Sequence, residues 1–386
     1  MPDDVRADPA AAMTAPSYDI FCRVVDNFGD IGVSWRLARQ LSAPPHRRRV
    51  RLWVDDLRSF AKIEAAVDAD LPAQTLQEVE IRHWAGDIRL PRPHDVVIEA
   101  FACDLPPAFV DEMARRRSLW INLEYLSAES WVEDCHARPS PQASGASKFF
   151  FFPGFTPSTG GLLREPGLLS ARDLWLGDPS RRWGFLQRIG MPGALIENLR
   201  QGARQVFLFC YPHAPVRDLF DSLGRHARPS VVIVPAGVHP DIKNHDSAHV
   251  RVYEAPFVDQ TDFDFLLWGS DLNFVRGEDS LVRAIWAGKP LVWHIYPQPR
   301  QAHLDKLRAW LARSGFGPLV DALMQSWNGS PDRGAADFAA LADQALEPGH
   351  WDSWRRISAD RSNELAARAD LACALDAFCA KHRRTG

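Results

Sequence analysis

The sequence predicts an α/β protein with two successive Rossmann-like domains, each a mostly parallel sheet covered by helices. Apolar segments rich in β-branched and aromatic residues alternate with segments of helical periodicity from residue 18 to residue 155. The same alternation restarts at residue 205, after a stretch of mixed Pro, Gly and charged residues over 164–204. The chain has 386 residues, 46% of them hydrophobic, which is enough for two buried cores.

The first alternation opens with a strand, YDIFCRVV (18–25), and a helix, SWRLARQL (34–41), in which the apolar residues recur at helical spacing. A second helix is expected at LRSFAKIEAAV (57–67). The further strands of this half are expected at the start of VRLWVDD (50–56), DVVIEAFACDLP (95–106), SLWINLEYLSAESWVEDCH (118–136) and KFFFFPGF (148–155).

The connection contains two helix candidates, WGFLQRIG (183–190) and ALIENLRQGA (194–203). Strands of the second half are expected in QVFLFCYPH (205–213), SVVIVPAG (230–237), VRVYEAPFV (250–258), LNFVRGED (272–279) and KPLVWHIYPQ (289–298). Helices are expected in DLFDSLGRHA (218–227), TDFDFLLWGS (261–270), SLVRAIWAG (280–288), HLDKLRAWLARSG (303–315) and the tail from residue 351.

These assignments predict a disordered leader over 1–17, a first Rossmann-like domain over 18–185 and a second over 200–366. A last helix, about 367–386, is expected to cross back to the first domain. Two such domains facing a cleft are the architecture of GT-B glycosyltransferases and of other two-domain Rossmann enzymes. Ligands of these folds bind where the carboxyl ends of the strands face the cleft.

Charge and cysteine content exclude several classes of function. The net charge is −4 and the pI about 6.4, so the basic face of a nucleic-acid-binding protein is not expected. The six cysteines form no CxxC pair and indicate reduced thiols of a cytoplasmic protein. The first residues lack the apolar core of a signal peptide, and no apolar stretch approaches the ~20 residues of a membrane helix. We expect a cytoplasmic monomer.

The turn after the first strand, VVDNFGDIGVSWRLA (24–38), contains two carboxylates four positions apart. It lacks the GxGxxG pattern of a dinucleotide site, because only Gly29 and Gly32 are present. One interpretation is that Asn27 or Asp30 caps the first helix. That role does not account for Asp26, and both aspartates would lie at the mouth of the cleft. The alternative is a catalytic role.

The segment RGEDS (276–280) precedes a helix of the second domain. A helix N-terminus offers backbone amides and the positive end of a dipole, which suit a diphosphate, and Arg276 adds a cation. We expect Gly277 and Ser280 near this diphosphate, with Ser280 also available as a helix cap. Glu278 and Asp279 are either part of the site or ordinary acids of a first helical turn.

Aromatic residues and one amide suggest a nucleobase site in the second domain. Phe257, Gln260 and Phe263 are expected in a short loop before a helix, where rings stack on a base and the amide reads its edge. Core packing is the alternative for Phe263. Tyr211 follows a strand and could reach the diphosphate. The histidines are dispersed and show no metal-binding spacing, so no metal site is predicted.

Taken together, these stretches resemble the elongation factor P arginine rhamnosyltransferases. The resemblance covers both domains and is most specific in the first and last of four segments: IFCRVVDNFGDIGVSWRLARQL (20–41), INLEYLSAESWVE (121–133), PGFTPSTGGLLRE (153–165) and APFVDQTDFDFLLWGSDLNFVRGEDSLVRAIWAGKPLVWHIYPQ (255–298). It implies a GT-B fold. It also implies inverting transfer of L-rhamnose from dTDP-β-L-rhamnose to an arginine in the N-terminal domain of elongation factor P, which activates that factor for polyproline translation.

The resemblance also implies residue roles. The first loop would carry the acceptor chemistry, with Asp30 as the favoured catalytic residue, and RGEDS would bind the donor. The implied catalytic set is Asp26, Asp30 and Glu278. The implied donor-binding set is Asn27, Phe28, Gly29, Tyr211, Phe257, Gln260, Phe263, Arg276, Gly277, Asp279, Ser280 and Tyr296. Pro212 and His213 depart from the family pattern after Tyr211.

Arginine is a poor nucleophile because its guanidinium stays protonated, with a pKa above ~12. One carboxylate could orient the guanidinium and a second could take its proton, so two aspartates in one loop meet both needs. This chemistry requires neither a metal nor a cofactor. Two other functions remain open: a GT-B-type enzyme acting on a small acceptor or a nucleotide sugar, such as an epimerase, and a non-catalytic dTDP-sugar-binding protein.

Overall fold

The computed structural model describes residues 15–25, 28–84, 91–142, 147–239, 242–329 and 337–383. Within these ranges the chain forms two sheets, of eight and five strands. No helix in the described ranges is long and apolar enough to cross a membrane. The expected leader falls mostly outside the described residues, and the first strand begins at Tyr18.

The first sheet has the strand order β3-β4-β2-β1-β5-β6-β8-β7. Its core strands are parallel and fully buried, and Ile20 of β1 lies opposite Leu52 of β2 and Ile98 of β5. The strands are β1 (Tyr18–Cys22), β2 (Val50–Val54), β3 (Ala73–Leu76), β4 (Val79–His83), β5 (Val96–Ala100), β6 (Leu119–Leu123), β7 (Pro139–Pro141) and β8 (Ser147–Phe151). Its connecting helices are α1 (Gly29–Ser42), α2 (Leu57–Ile63), α3 (Pro107–Arg116) and α4 (Trp131–Cys135).

The second sheet is parallel, with the order β11-β10-β9-β12-β13. Its strands are β9 (Arg204–Leu208), β10 (Ser230–Pro235), β11 (Val250–Ala255), β12 (Leu272–Arg276) and β13 (Leu291–His294). The helices that follow α4 are α5 (Leu168–Leu176), α6 (Pro179–Arg188), α7 (Gly193–Arg200), α8 (Val216–Arg225), α9 (Gln260–Gly269), α10 (Gly277–Ala287), α11 (Ala302–Ser314), α12 (Pro318–Trp327), α13 (Phe338–Ala345), α14 (Pro348–Ala366) and α15 (Leu371–Arg383).

The last helix packs on the first sheet, as expected from the sequence. Leu371 and Leu375 of α15 belong to the apolar core of that sheet, whereas Leu365 of α14 belongs to the core of the second sheet. Polar contacts fix the crossing, because the Tyr18 hydroxyl donates to Asp376 Oδ1 at 2.7 Å. The last described helix therefore packs against the domain that contains the first strand.

The packing also refines the sequence assignments. Trp175 of α5 and Phe185 of α6, within the range expected for the first domain, pack in the core of the second sheet. The hairpin β3–β4, strand β7 and helices α3, α5, α12 and α13 were not predicted. In β3 the side chains are exposed or half-buried, so it lacks the apolar signal of a core strand.

Candidate active site

The two domains meet where α1 faces α10 and α9. At Gly32 the two domains approach closely, because a Cβ atom at this position would be 3.4 Å from both Asp279 Oδ2 and Gln260 Nε2 of the second domain. In the structure the groups that approach Gly32 are side chains of the second domain.

Asp30 lies in the first turn of α1 and is buried, with 2% of its surface exposed. Its Oδ2 accepts the backbone N–H of Val25 at 2.8 Å, and its Oδ1 is 3.4 Å from the Tyr125 hydroxyl. The N-cap residue of α1 is Phe28, and no side chain caps that end. Asp30 is therefore not a helix cap, and Asp26 and Asn27 lie outside the described residues.

Glu278 approaches the same place from the second domain, in the first turn of α10. Its Oε1 accepts from Lys306 Nζ at 2.5 Å, and its Oε2 accepts from the backbone N–H of Leu126 at 2.7 Å. Burial raises the pKa of Glu278; Lys306 and the Leu126 amide oppose this rise, and the nearby charge of Asp30 adds to it. The two carboxylates therefore interact electrostatically across the cleft.

Helix α10 begins with a backbone that only glycine adopts readily. Gly277 has φ +68°, and its carbonyl accepts the indole N–H of Trp293 at 2.8 Å. The N-cap residue is Arg276, without a side-chain cap, and Ser280 is the fourth residue of the helix. The expectation that Ser280 caps α10 is therefore wrong, because the helix starts three residues before it.

Arg276 is held against aromatic rings at the end of β12. Its guanidinium lies 4.4 Å from the ring centre of Phe209 and 4.9 Å from that of Tyr211, and Nη1 donates to the Cys210 carbonyl at 3.1 Å. Tyr211 is buried and packs edge-on against Tyr296, with ring centres 5.6 Å apart. Tyr211 thus contacts Arg276, the cation predicted to bind the diphosphate.

Phe257, Gln260 and Phe263 do not share the loop that the sequence suggested. Gln260 begins α9 and Phe263 lies in its first turn, because Asp259 caps this helix through the N–H groups of the next turn. Phe257 alone lies in the loop, where it is 40% exposed. Phe263 packs on the rings of Phe207, in β9, and Phe209, just after β9. Phe257 packs on Phe28, with ring centres 5.0 Å apart.

The Gln260 amide is engaged with the first domain. Its Oε1 accepts from Arg39 at 2.8 Å, and its Nε2 donates to the Gly32 carbonyl at 3.1 Å. In this conformation the amide joins α9 to α1, so reading a nucleobase edge requires it to exchange these partners.

An ion-pair network ties the domains together beside these contacts. Arg36 of α1 donates to Asp279 at 2.9 Å and to Glu165 at 3.2 Å. Arg283 of α10 pairs with Glu165 at 2.6 Å and with Asp264. Burial would raise the pKa of Glu165, but Arg283 and Arg36 hold it well below its usual range. Asp279 therefore faces the first domain.

Two adjoining cavities occupy the cleft. The first, about 570 Å³, is lined by ten of the predicted residues: Phe28, Gly29, Phe257, Gln260, Phe263, Arg276, Gly277, Glu278, Asp279 and Ser280. The second, about 870 Å³, is lined by Gly29, Asp30, Gly277, Glu278 and Tyr296. Glu278 lines both, between the N-terminus of α10 and the pocket of Asp30.

Sequence reasoning missed three residues of this cleft. Tyr125 and Lys306 line the second cavity, and Arg36 lines the first. Tyr125 follows the end of β6, where ligands of this fold are expected, so its position was a usable signal. Lys306 and Arg36 are single cations within helices, and only the tertiary structure distinguishes them from surface residues.

Comparisons with known proteins identify the family to which this cleft belongs. The family of elongation-factor P (EF-P) rhamnosyltransferases, EarP, matches residues 18–380. The chain belongs to the EarP family. A protein-arginine rhamnosyltransferase of Pseudomonas putida is 45% identical, over 94% of this chain and 98% of the relative. One of Pseudomonas aeruginosa is 43% identical, over 94% and 99%.

Solved structures agree with the EarP assignment. A structure described as the basis for EarP-mediated arginine glycosylation of translation elongation factor EF-P aligns with a TM-score of 0.63, at 31% identity, over 95% of this chain and 99% of that chain. The forosaminyltransferase SpnP aligns with a TM-score of 0.50 at 10% identity, over 96% and 100%, a likeness of fold alone. The GT-B fold and the enzymatic nature of this EarP member, predicted from its sequence, are confirmed.

Proposed function

We propose that the protein transfers L-rhamnose from dTDP-β-L-rhamnose to the side chain of one arginine of elongation factor P, with inversion at the anomeric carbon. Membership of the EarP family supports the donor sugar and the acceptor protein. The observation that carries the proposal is the meeting of Asp30 and Glu278, from facing domains, in one cavity.

The second cavity, here called the acceptor cavity, suits a guanidinium. Asp30 and Glu278 supply two carboxylates, and the rings of Tyr125 and Phe101 stack on each other at its wall, with centres 4.5 Å apart. A carboxylate binds the planar guanidinium fork through paired hydrogen bonds, and an aromatic face attracts the same cation. Because Asp30 is buried, its charge acts in a weakly screened environment.

In the proposed reaction a guanidinium nitrogen attacks the anomeric carbon, and the carbon–oxygen bond to the diphosphate breaks. The bonding electrons leave with dTDP, and Asp30 accepts the proton released from the attacking nitrogen. General-base help of this kind contributes about 10²–10⁴-fold to a rate. Asp26 remains proposed as the second carboxylate of this loop.

The donor is proposed to lie in the first cavity. The diphosphate would bind the N-terminus of α10 and Arg276, which stabilise the charge of the leaving group. The exposed ring of Phe257 offers a stacking face for thymine. Asn27, Phe28, Gly29, Tyr211 and Tyr296 remain proposed donor contacts, together with Gly277, Asp279 and Ser280.

Charge stabilisation by Arg276 and a helix terminus leaves no step that needs a metal ion, so we propose metal-independent transfer. We also propose that the protein is a cytoplasmic monomer. Transfer should continue at an unchanged rate after dialysis against EDTA. A loss of activity that added Mg²⁺ or Mn²⁺ restores would contradict this part of the proposal.

The test is mass spectrometry of elongation factor P after incubation with the protein and dTDP-β-L-rhamnose. The proposal predicts a gain of one deoxyhexose, located on an arginine by peptide fragmentation. Turnover of the donor with small acceptors but not with elongation factor P would instead identify a different GT-B-type enzyme. Donor binding without any turnover would identify a binding protein.

A further inference from the structure

Lys306 contributes a cation to the acceptor cavity that the proposed reaction does not use. It lies on α11, and its Nζ donates to Glu278 Oε1 at 2.5 Å. The same Nζ lies 5.5 Å from the ring centre of Tyr125, in the first domain. Both charged side chains are mostly buried, with 13% of Lys306 and 17% of Glu278 exposed. The pair is therefore weakly screened by solvent.

The two oxygens of Glu278 are held from different elements. Lys306 of α11 holds Oε1, and the backbone N–H of Leu126, in the loop after β6, holds Oε2. With both oxygens held, the carboxylate has one orientation in the cavity. An amide alone would hold one oxygen and would leave the other free to rotate.

The charges around Glu278 explain why a cation is needed there. Asp30 of α1 faces it and opposes its ionisation, as does burial. On its own helix Asp279 is paired with Arg36, and Arg276 is held by Cys210 and the aromatic rings. Lys306 supplies the ion pair that directly favours the carboxylate. Two buried like charges without such a partner do not both stay ionised.

We propose that Lys306 is a positioning residue, which fixes the Glu278 carboxylate in its ionised form and in one orientation beside Asp30. The kinetic consequence of this inference rests on the proposed function, in which the carboxylates of the cavity bind an arginine guanidinium. A protonated Glu278 cannot accept hydrogen bonds from that guanidinium through both of its oxygens. The cation of Lys306 itself does not touch the reacting atoms.

Three substitutions separate charge, hydrogen bonding and packing. Lys306→Met removes the cation and keeps the length of the stem, Lys306→Gln keeps a donor without charge, and Lys306→Arg keeps the charge. Lys381→Met, at an exposed position of α15, is the matched control. Circular dichroism tests whether each variant is folded. If Lys306→Met does not fold, Lys306→Gln takes its place in the comparison.

The kinetic experiment measures transfer to elongation factor P against pH. Loss of a charged hydrogen bond predicts a fall in kcat of about 10- to 100-fold in Lys306→Met and Lys306→Gln. The acid limb of the pH profile should move to higher pH, the KM for the donor should stay near its wild-type value, and Lys306→Arg should recover most of kcat. An equal fall in all three variants, with an unmoved acid limb, would overturn the inference.

A second experiment does not depend on any transfer. In protein labelled with ¹³C at glutamate carboxyls, the Glu278 resonance, assigned by its loss in Glu278→Gln, is followed against pH. The midpoint should rise by about one pH unit or more in Lys306→Met and Lys306→Gln, because the opposite charge that favours the carboxylate is lost, but not in Lys381→Met. Superimposable titrations overturn the role of Lys306. A shifted midpoint in a protein that transfers no rhamnose refutes the proposed function and leaves the role of Lys306 standing.

Discussion

Replacing Arg36 with methionine tests the network that holds the two domains together. Methionine keeps the apolar stem of the side chain and removes two hydrogen bonds to Asp279, at 2.9 and 3.3 Å, one to Glu165, at 3.2 Å, and one to the Gln260 carbonyl, at 3.4 Å. The Arg36 side chain is 3% exposed, and the side chains of Asp279 and Glu165 are 15% and 28% exposed. The substitution therefore leaves Asp279 largely buried without its cation.

Breaking a fully buried ion pair on one side costs about 3–5 kcal/mol. Two features reduce that value here: both carboxylates retain some access to water, and Glu165 keeps Arg283 at 2.6 Å. We therefore expect a loss of about 2–3 kcal/mol in the free energy of unfolding.

Urea unfolding followed by tryptophan fluorescence measures this loss. The matched control is Arg82→Met, which removes an ion pair of 2.6 Å to Glu80 with 40% and 31% of the side chains exposed. That pair should contribute about 0–1 kcal/mol. Equal losses in the two variants, or no loss in Arg36→Met, would refute the conclusion that the domains are held by buried ion pairs.

Three further predictions concern pH, backbone and donor binding. Because Arg283 and Arg36 depress the pKa of Glu165, its carboxylate stabilises the fold above its unfolded pKa of about 4.3 and loses this effect as pH falls below that value. The difference in unfolding free energy between wild type and Glu165→Gln should therefore shrink from pH 7 towards pH 3, and a constant difference would contradict this. Gly277→Ala forces a side chain into φ +68°, so it should lower the unfolding free energy by about 1–2 kcal/mol, measured by urea unfolding; Gly349→Ala, in α14 with open space around its Cβ position, should not. Phe257→Ala should weaken dTDP binding by about 1–3 kcal/mol in titration calorimetry, and an unchanged affinity would remove Phe257 from the base site.

The sequence predicted the elements that follow a regular pattern. Strands such as β1 and β12 are short apolar segments in a βα alternation, and that alternation fixes where their carboxyl ends meet. For this reason Asp30 was expected at the mouth of the cleft. Glu278 was left either in the site or as an ordinary acid of a first helical turn, and only the family resemblance implied its catalytic role. The hairpin β3–β4 was missed because β3 lies at the edge of the sheet with half-exposed side chains.

Contacts between the domains could not be predicted in this way. Gln260 was assigned to a loop, although Asp259 supplied the capping signal that starts α9 one residue later. Arg36 pairs with Asp279 across the cleft, whereas Lys306 pairs with Glu278 of its own domain and reaches Tyr125 of the first. The importance of both cations depends on which side chains the tertiary structure places opposite them. Periodicity within one segment contains no information about that opposing surface.

The role of Asp30 as general base is tested most directly by comparing wild type and Asp30→Asn in a time course of rhamnosylation, followed by the intact mass of elongation factor P. We expect one added deoxyhexose with wild type, and a rate about 10²–10⁴-fold lower for Asp30→Asn, with donor affinity unchanged. Transfer at the wild-type rate by Asp30→Asn would contradict this role.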